Sequence, residues 1–181
     1  MDETGKRKLS KRHGARAILE YRDMGILPSA MLNFLATIGW NDGTEQEIYS
    51  VDELIAKFDL SRVQRSGGIF DEKRLMYLNG VHIRKLSLDE LSVGVASFWP
   101  AEAKDAKDEY KKDVLTLVHE RLKFMSELPE LTRFFFAEPT VNEDLFTNNK
   151  QLKKLSADER SIMLKAVADA LADSDFSEAN L

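Results

Sequence analysis

The chain has 181 residues, 43% of them hydrophobic, and a formal net charge of -5. That hydrophobic share supports one large core or two small ones, and the acidic balance excludes a protein that coats nucleic acid nonspecifically, so any nucleic-acid contact has to be local. With no cysteine, disulfides, thiolate metal sites and cysteine nucleophiles are excluded, which fits a reducing, cytoplasmic setting; no apolar run approaches the roughly 20 residues that a membrane-spanning helix needs.

In chain order, the first feature is "GKRKLSKRHGARA", in which Lys6, Arg7, Lys8, Lys11, Arg12 and Arg16 crowd around Ser10 and two glycines. Such a cluster repels itself unless solvent or an anion screens it. It reads either as a solvated arm or as a loop that holds phosphate, with two flexible lysines three apart and a serine that can donate to phosphate oxygens. A short helix over 15–24, ended by Gly25, is expected next. Pro28 then opens a second helix, in which Met31, Phe34, Leu35 and Ile38 form a predicted buried stripe.

Ser50 with Glu53 predicts a capping box in front of Leu54, Ile55 and Phe58, and Asp71 predicts the start of "EKRLMYLNG", with Gly80 as a left-handed stop. Short strand-like pieces are expected only near Ile48 and Ile69. Ser87 with Glu90 repeats the capping box, and "FWP" closes that helix. The composition changes at Pro100, so a lobe boundary is placed there. A long helix carrying Tyr110, Val114, Leu117, Val118, Leu122 and Met125 is predicted to follow, then "PELTRFFF" from Pro129 and a third capping box at Ser156 and Glu159. The last helix carries Ile162, Met163, Ala166, Val167, Ala170 and Leu171 in two apolar rows.

Enzymatic groups are sparse. His13, His82 and His119 are scattered without metal-ligand spacing. Carboxylate pairs such as Asp105 with Glu109 read as a solvated face, and Ser161 and Ser174 have no histidine nearby in sequence to activate them.

"KLSKRHGA" is similar to the KMSKS loop of class I aminoacyl-tRNA synthetases, in the form typical of glutamyl-tRNA synthetases. The segments "YRDMGILPSAMLNFLATIGW" and "VDELIAKFDLSRVQRSGGIFDEKRLMYLNGVHIR" also resemble that family's next segments, in the same order. The second carries a motif of Phe70, Asp71, Leu75, Tyr77, Leu78 and Asn79. The resemblance is strong from residue 5 to about 86. Beyond residue 100 it rests on helical character and "LPELTRFFF".

The resemblance implies a mainly α fold: residues 1–14 as the loop, 15–100 as a helical stem-contact region, and 101–181 as the start of a helical anticodon-binding bundle, cut at its C-terminus. It implies a role in joining glutamate to its tRNA with ATP and Mg2+, with Lys11 on the ATP phosphates and Lys8 and Ser10 shaping the loop. The expected RNA contacts are Arg62, Arg65, Arg74, Arg84, Lys85, Lys111, Lys112, Arg121 and Arg133, with Lys150, Lys153 and Lys154 further on; each alone also reads as an ordinary surface charge.

No HIGH signature or Gly-rich nucleotide unit precedes the loop, so a monomeric fragment that is inactive by itself and binds no cofactor alone is expected. Two other readings stay open. One is an enzyme that also charges glutamine tRNA. The other is a helical protein-interaction module with a basic arm, in which Trp40, Trp99 and the phenylalanines at 134–136 meet a partner.

Overall fold

The computed structural model describes residues 8, 10, 16–65, 67–140, 142 and 144–172, and among them no strand is formed. The helices are α1 (Ile18–Asp23), α2 (Pro28–Gly39), α3 (Val51–Lys57), α4 (Glu72–Arg84), α5 (Leu88–Gly94), α6 (Asp108–Val118), α7 (Leu128–Thr132), α8 (Asp144–Asn148) and α9 (Ala157–Ala172), joined by short 3-10 turns. The mainly α expectation therefore holds. The chain divides into two packed units, Met1–Glu138 and Pro139–Leu181.

Local chemistry starts the helices where the sequence indicates. Ser50 and Ser87 each accept from the backbone N–H of the third residue onward, Glu53 or Glu90, whose carboxylate returns to the serine's own N–H. Ser156 and Glu159 do the same. These amides hold the Glu53, Glu90 and Glu159 carboxyls below their ordinary range. Asp71 accepts from Lys73 N and Arg74 N at 2.9 and 3.2 Å. Pro28 stands in the first turn of α2, where its missing N–H costs nothing.

In the first unit, α2 packs on α4 through Met31, Phe34, Leu75 and Leu78, joined by Tyr21 and Ile26. Trp40, Tyr49 and Leu54 form a smaller cluster beside them. A third cluster joins Ile83 of α4, Leu91 of α5, Leu115 and Val118 of α6, Met125, and Leu128 of α7. The expected boundary near residue 100 lies inside this unit, because α5 and α6 share that last cluster. The compositional change at Pro100 marks a turn rather than a break in packing.

Several expectations are corrected. Met31 and Phe34 of the predicted stripe are buried and Ile38 packs against them, but Leu35 is 49% exposed, and the buried face extends instead to Ala30 and Asn33. Gly80 does not end a helix: α4 runs on to Arg84, and a Cβ at residue 80 would stand 3.4 Å from the Leu122 carbonyl oxygen. Gly25 does take the left-handed conformation (φ 78°), and a side chain there would overlap Met125. The long helix predicted after residue 104 stops at Val118, where a 3-10 turn begins, and leaves Leu117 and Tyr110 exposed. "FWP" lies beyond its helix, which ends at Gly94.

The stretch at Ile48 forms no strand because Asn33 takes its backbone groups: Asn33 Nδ2 donates to Glu47 O at 2.9 Å and Tyr49 N donates to Asn33 Oδ1 at 3.0 Å. The stretch at Ile69 is likewise irregular. In the second unit α9 buries none of its expected apolar rows, and Ile162, Leu164 and Val167 are exposed.

Asn33 Oδ1 also meets His82 Nε2 at 3.1 Å, and since that oxygen only accepts, Nε2 carries the proton. Burial, with Lys85 nearby, depresses His82 below its ordinary value of 6.5. The buried ring is therefore neutral, and the unfolded chain binds the extra proton first. Stability is retained above the unfolded value and falls as the pH drops below about 6.5. Urea unfolding at pH 7.5 and 5.5 should show a lower midpoint at the acid pH, and His82→Gln should flatten that difference. Equal differences in both proteins would refute the assignment.

Candidate nucleic-acid interface

The basic loop enters the described residues only at two points: Lys8 is exposed and Ser10 is half-buried. Lys11 lies outside them, as does His13. The remaining candidate cations stand on both units. Arg62 ends a 3-10 turn after α3, and Arg65 follows it. Arg74 and Arg84 belong to α4, with Lys85 just beyond its end. Lys111 and Lys112 lie on α6, Arg121 closes the next 3-10 turn, and Arg133 follows α7. Lys150, Lys153 and Lys154 belong to the second unit and are exposed.

Their partners divide them into two groups. Arg74 reaches Glu47 at 3.5 Å, Arg84 reaches Glu120 at 3.9 Å, Lys112 holds Asp89 at 2.6 Å and Arg133 holds Glu102 at 2.8 Å. The Lys112 ammonium lowers the Asp89 carboxyl, and the carboxylate in turn raises the lysine. These pairs are solvated on at least one side, so water and salt compete with them and a phosphate can replace the carboxylate. Lys111 lies over the Trp99 ring, 5.9 Å from its centroid. Arg62, Arg65, Lys85 and Arg121 are exposed and make no ion pair among the described residues.

Arg62 is steered by the turn before α3. Gly43 has φ 85°, and its missing side chain is the space that the Arg62 guanidinium occupies. Asp42 in the same turn accepts from Thr44 Oγ1 at 2.5 Å, from Lys57 Nζ at 2.9 Å and from Thr44 N at 3.0 Å, bonds that hold its carboxyl well below the ordinary range.

Other side chains prove structural. His119 Nε2 sits 2.9 Å from the Ile83 carbonyl, and no metal-holding cluster exists among the described residues. Trp40 is buried against Tyr49 and Phe58, and Trp99 meets Phe136 edge-on at 5.5 Å, so neither forms an open partner surface. The Glu127 carboxylate accepts from Lys123 N at 2.8 Å and Phe124 N at 3.3 Å, which removes it from general acid or base work.

Two features were not singled out from the sequence. Lys73 and Lys123 join Arg84 along a groove beside Tyr77; the helical spacing of 73, 77 and 84 signals one face of α4, but nothing local brings Lys123 there. The outer side of α2 and α3, with Leu32, Leu35, Val51, Ile55 and Phe58 around a cleft of about 600 Å³, forms an open apolar face. Ile55 is 75% exposed, and such a continuous patch marks a surface that something covers.

Comparison with known proteins agrees with this layout. Residues 88–181 match the family described as "Anticodon binding domain", and residues 1–77 match "tRNA synthetases class I (E and Q), catalytic domain". The chain is 42% identical over 139 residues to the glutamate-tRNA ligase of Herpetosiphon aurantiacus, covering 74% of this chain and 28% of the relative. It is 37% identical over 183 residues to that of Carboxydothermus hydrogenoformans, covering 94% and 36%.

A crystal structure of a glutamate tRNA ligase from Elizabethkingia meningosepticum, in complex with its amino acid, superposes with a TM-score of 0.74 at 26% identity, over 98% of this chain and 38% of that one. The chain thus spans about a third of the length of such relatives. The match over residues 1–77 ends inside α4, and the match over residues 88–181 begins at α5 and continues through the second unit. The chain belongs to the class I (E and Q) tRNA synthetases and includes an anticodon-binding domain over residues 88–181.

Proposed function

We propose that this chain is the tRNA-holding part of a cytoplasmic glutamate-tRNA ligase that works as a monomer on glutamate, ATP with Mg2+, and glutamate tRNA. The observation that carries the proposal is the set of exposed cations without an ion pair among the described residues, Arg62, Arg65, Lys85 and Arg121, in a chain whose net charge is -5. Positive groups kept apart from so many acidic ones serve an anionic partner. Residues 15–87 act on the stems of the tRNA, and the helices from α5 onward act toward its anticodon. Lys111, Lys112 and Arg133 join these contacts when phosphate displaces their present partners.

The residues present suit the phosphate end of ATP and no more of it. Lys8 offers an exposed ammonium beside Ser10, and Lys11, three positions after Lys8, supplies a second. ATP contributes the phosphoryl leaving group that activates glutamate; these side chains bind and follow its charge. The apolar face of α2 and α3 is covered, in a longer enzyme, by the rest of the catalytic domain. The helical interaction-module reading is not favoured, because, of its aromatic residues, Trp40 is buried and Trp99 packs on Phe136, which leaves Phe134 as the exposed ring.

Filter binding of the 181-residue chain to glutamate tRNA across a salt series tests the proposal. Affinity is expected on the order of micromolar or weaker near physiological salt, falling with a log-log slope of about 0.7 to 0.9 per phosphate contact. Replacing Arg62 and Arg65 together by glutamine should make that slope shallower by about 2. Equal affinity for heparin and for an unrelated tRNA would sink the reading.

A further inference from the structure

The motif at residues 70–79 is used almost completely by the fold. Phe70 meets Phe34 edge-on at 4.9 Å, Asp71 caps α4, Leu75 and Leu78 are core, and Asn79 bonds to two other segments. Tyr77 is the exception. It is 54% exposed, and its side chain makes no hydrogen bond or ring contact among the described residues. An aromatic ring held open on a rigid helix, in a motif otherwise given to packing, is available to a ligand.

Tyr77 borders a groove of about 560 Å³ whose other walls include Lys73, Arg84, Lys123 and Phe124. At Gly80 the 122–123 segment passes against α4, at distances of 3.4 to 3.5 Å from where a Cβ would stand. That approach carries Lys123 alongside α4. One acidic side chain, Glu127, also lines the groove, with its Oε2 accepting from two backbone amides, while Glu120 stands off Arg84 at 3.9 Å and is largely in water. Three cations thus flank one aromatic face.

We infer that this groove holds an unpaired nucleotide of bound RNA, its base stacked on Tyr77 and its adjoining phosphates met by Lys73, Arg84 and Lys123. Cations alone would serve a duplex backbone equally well. An exposed aromatic among them adds affinity only for a base that has left its stack, because a paired base presents no free face. The inference rests on the RNA-binding reading above and names where and how one strand is gripped.

The test uses the 181-residue chain with a short single-stranded RNA bearing a central 2-aminopurine, and with a duplex of the same length. The native chain should quench the fluorophore on binding the single strand. Tyr77→Ala should weaken single-strand binding roughly 5- to 100-fold and remove the quench, while duplex binding stays within twofold. Tyr77→Phe should keep both. Lys73→Gln with Lys123→Gln should weaken both RNAs and make the salt slope shallower by about 2.

Because Tyr77 is exposed, these variants should unfold with the native midpoint. Unchanged quench and affinity in Tyr77→Ala, in a chain that still binds RNA, would overturn the stacked-nucleotide site and leave the RNA reading intact. Absence of any RNA binding would overturn both.

Discussion

Lys11→Ala is expected to lower glutamate-dependent pyrophosphate exchange by about a hundredfold or more when residues 5–181 replace the matching part of a longer relative, such as the Fervidobacterium nodosum ligase that shares 44% identity over 132 residues. The size follows from the type of contact: removing one preorganised donor from charge that develops in the transition state costs about 10²- to 10³-fold. A lysine on a flexible stem can keep contact with phosphate oxygens as negative charge moves onto the departing pyrophosphate. Its attraction is therefore stronger in the transition state than with bound ATP. The loss should appear mainly in turnover, with the KM for ATP changed several-fold at most. Lys11→Arg should recover part of the rate. The 181-residue chain alone should give no exchange above background, since a charged loop cannot position glutamate against ATP. A Lys11→Ala hybrid with native turnover would remove Lys11 from the phosphate role.

The second large effect is on stability. Asn79→Ala should lower the unfolding free energy of the first unit by about 2 to 4 kcal/mol, read from urea midpoints at constant slope. Asn79 is fully buried. Its Oδ1 accepts from Leu27 N at 2.8 Å and its Nδ2 donates to Lys123 O at 2.6 Å, so one side chain ties the start of α2, the middle of α4 and the 122–124 segment together. Alanine leaves a backbone donor and an acceptor facing each other across a gap too apolar to solvate them. Asn79→Asp should do little better, because a carboxylate cannot donate to Lys123 O. A loss below about 0.5 kcal/mol for the alanine variant would mean that water satisfies both groups. The same tie positions Lys123 beside Tyr77, so Asn79→Ala should also weaken single-stranded RNA binding in conditions where the unit remains folded.

Much of the fold is legible because its signals act over a few residues. A serine and a glutamate three apart close a reciprocal pair of hydrogen bonds whatever surrounds them, as at Ser50, Ser87 and Ser156. Pro28 and Asp71 likewise act within one turn. The basic loop and the two following segments were enough to indicate the family. The buried face of α2 was legible only in part: Met31, Phe34 and Ile38 reach the core as their spacing predicts, while Leu35 next to Met31 is exposed and Ala30 and Asn33 are buried, because further apolar residues flank the stripe and its edge is set by what packs on it. The buried Asn33 would have been read as a polar, outward position, since nothing nearby in sequence indicates that it takes hydrogen bonds from Tyr49 and His82.

The candidate site divides in the same way. The resemblance, not composition or spacing, is what points Lys8, Ser10 and Lys11 toward phosphate, while helix signals place Arg62 and Arg65 between α3 and α4. They could not say which cations are already spent on carboxylates, because Arg133 finds Glu102 and Lys112 finds Asp89 only through packing of separate elements. Nor could they join Tyr77 to Lys123: the link runs through Asn79 and a carbonyl 44 residues away. By itself the sequence determined the helix starts, the turns and the family, since each depends on groups within reach along the chain. Only the tertiary structure decided which faces are buried, which charges are free and where the groove lies, since those depend on distant segments competing for the same apolar surfaces and hydrogen-bonding groups.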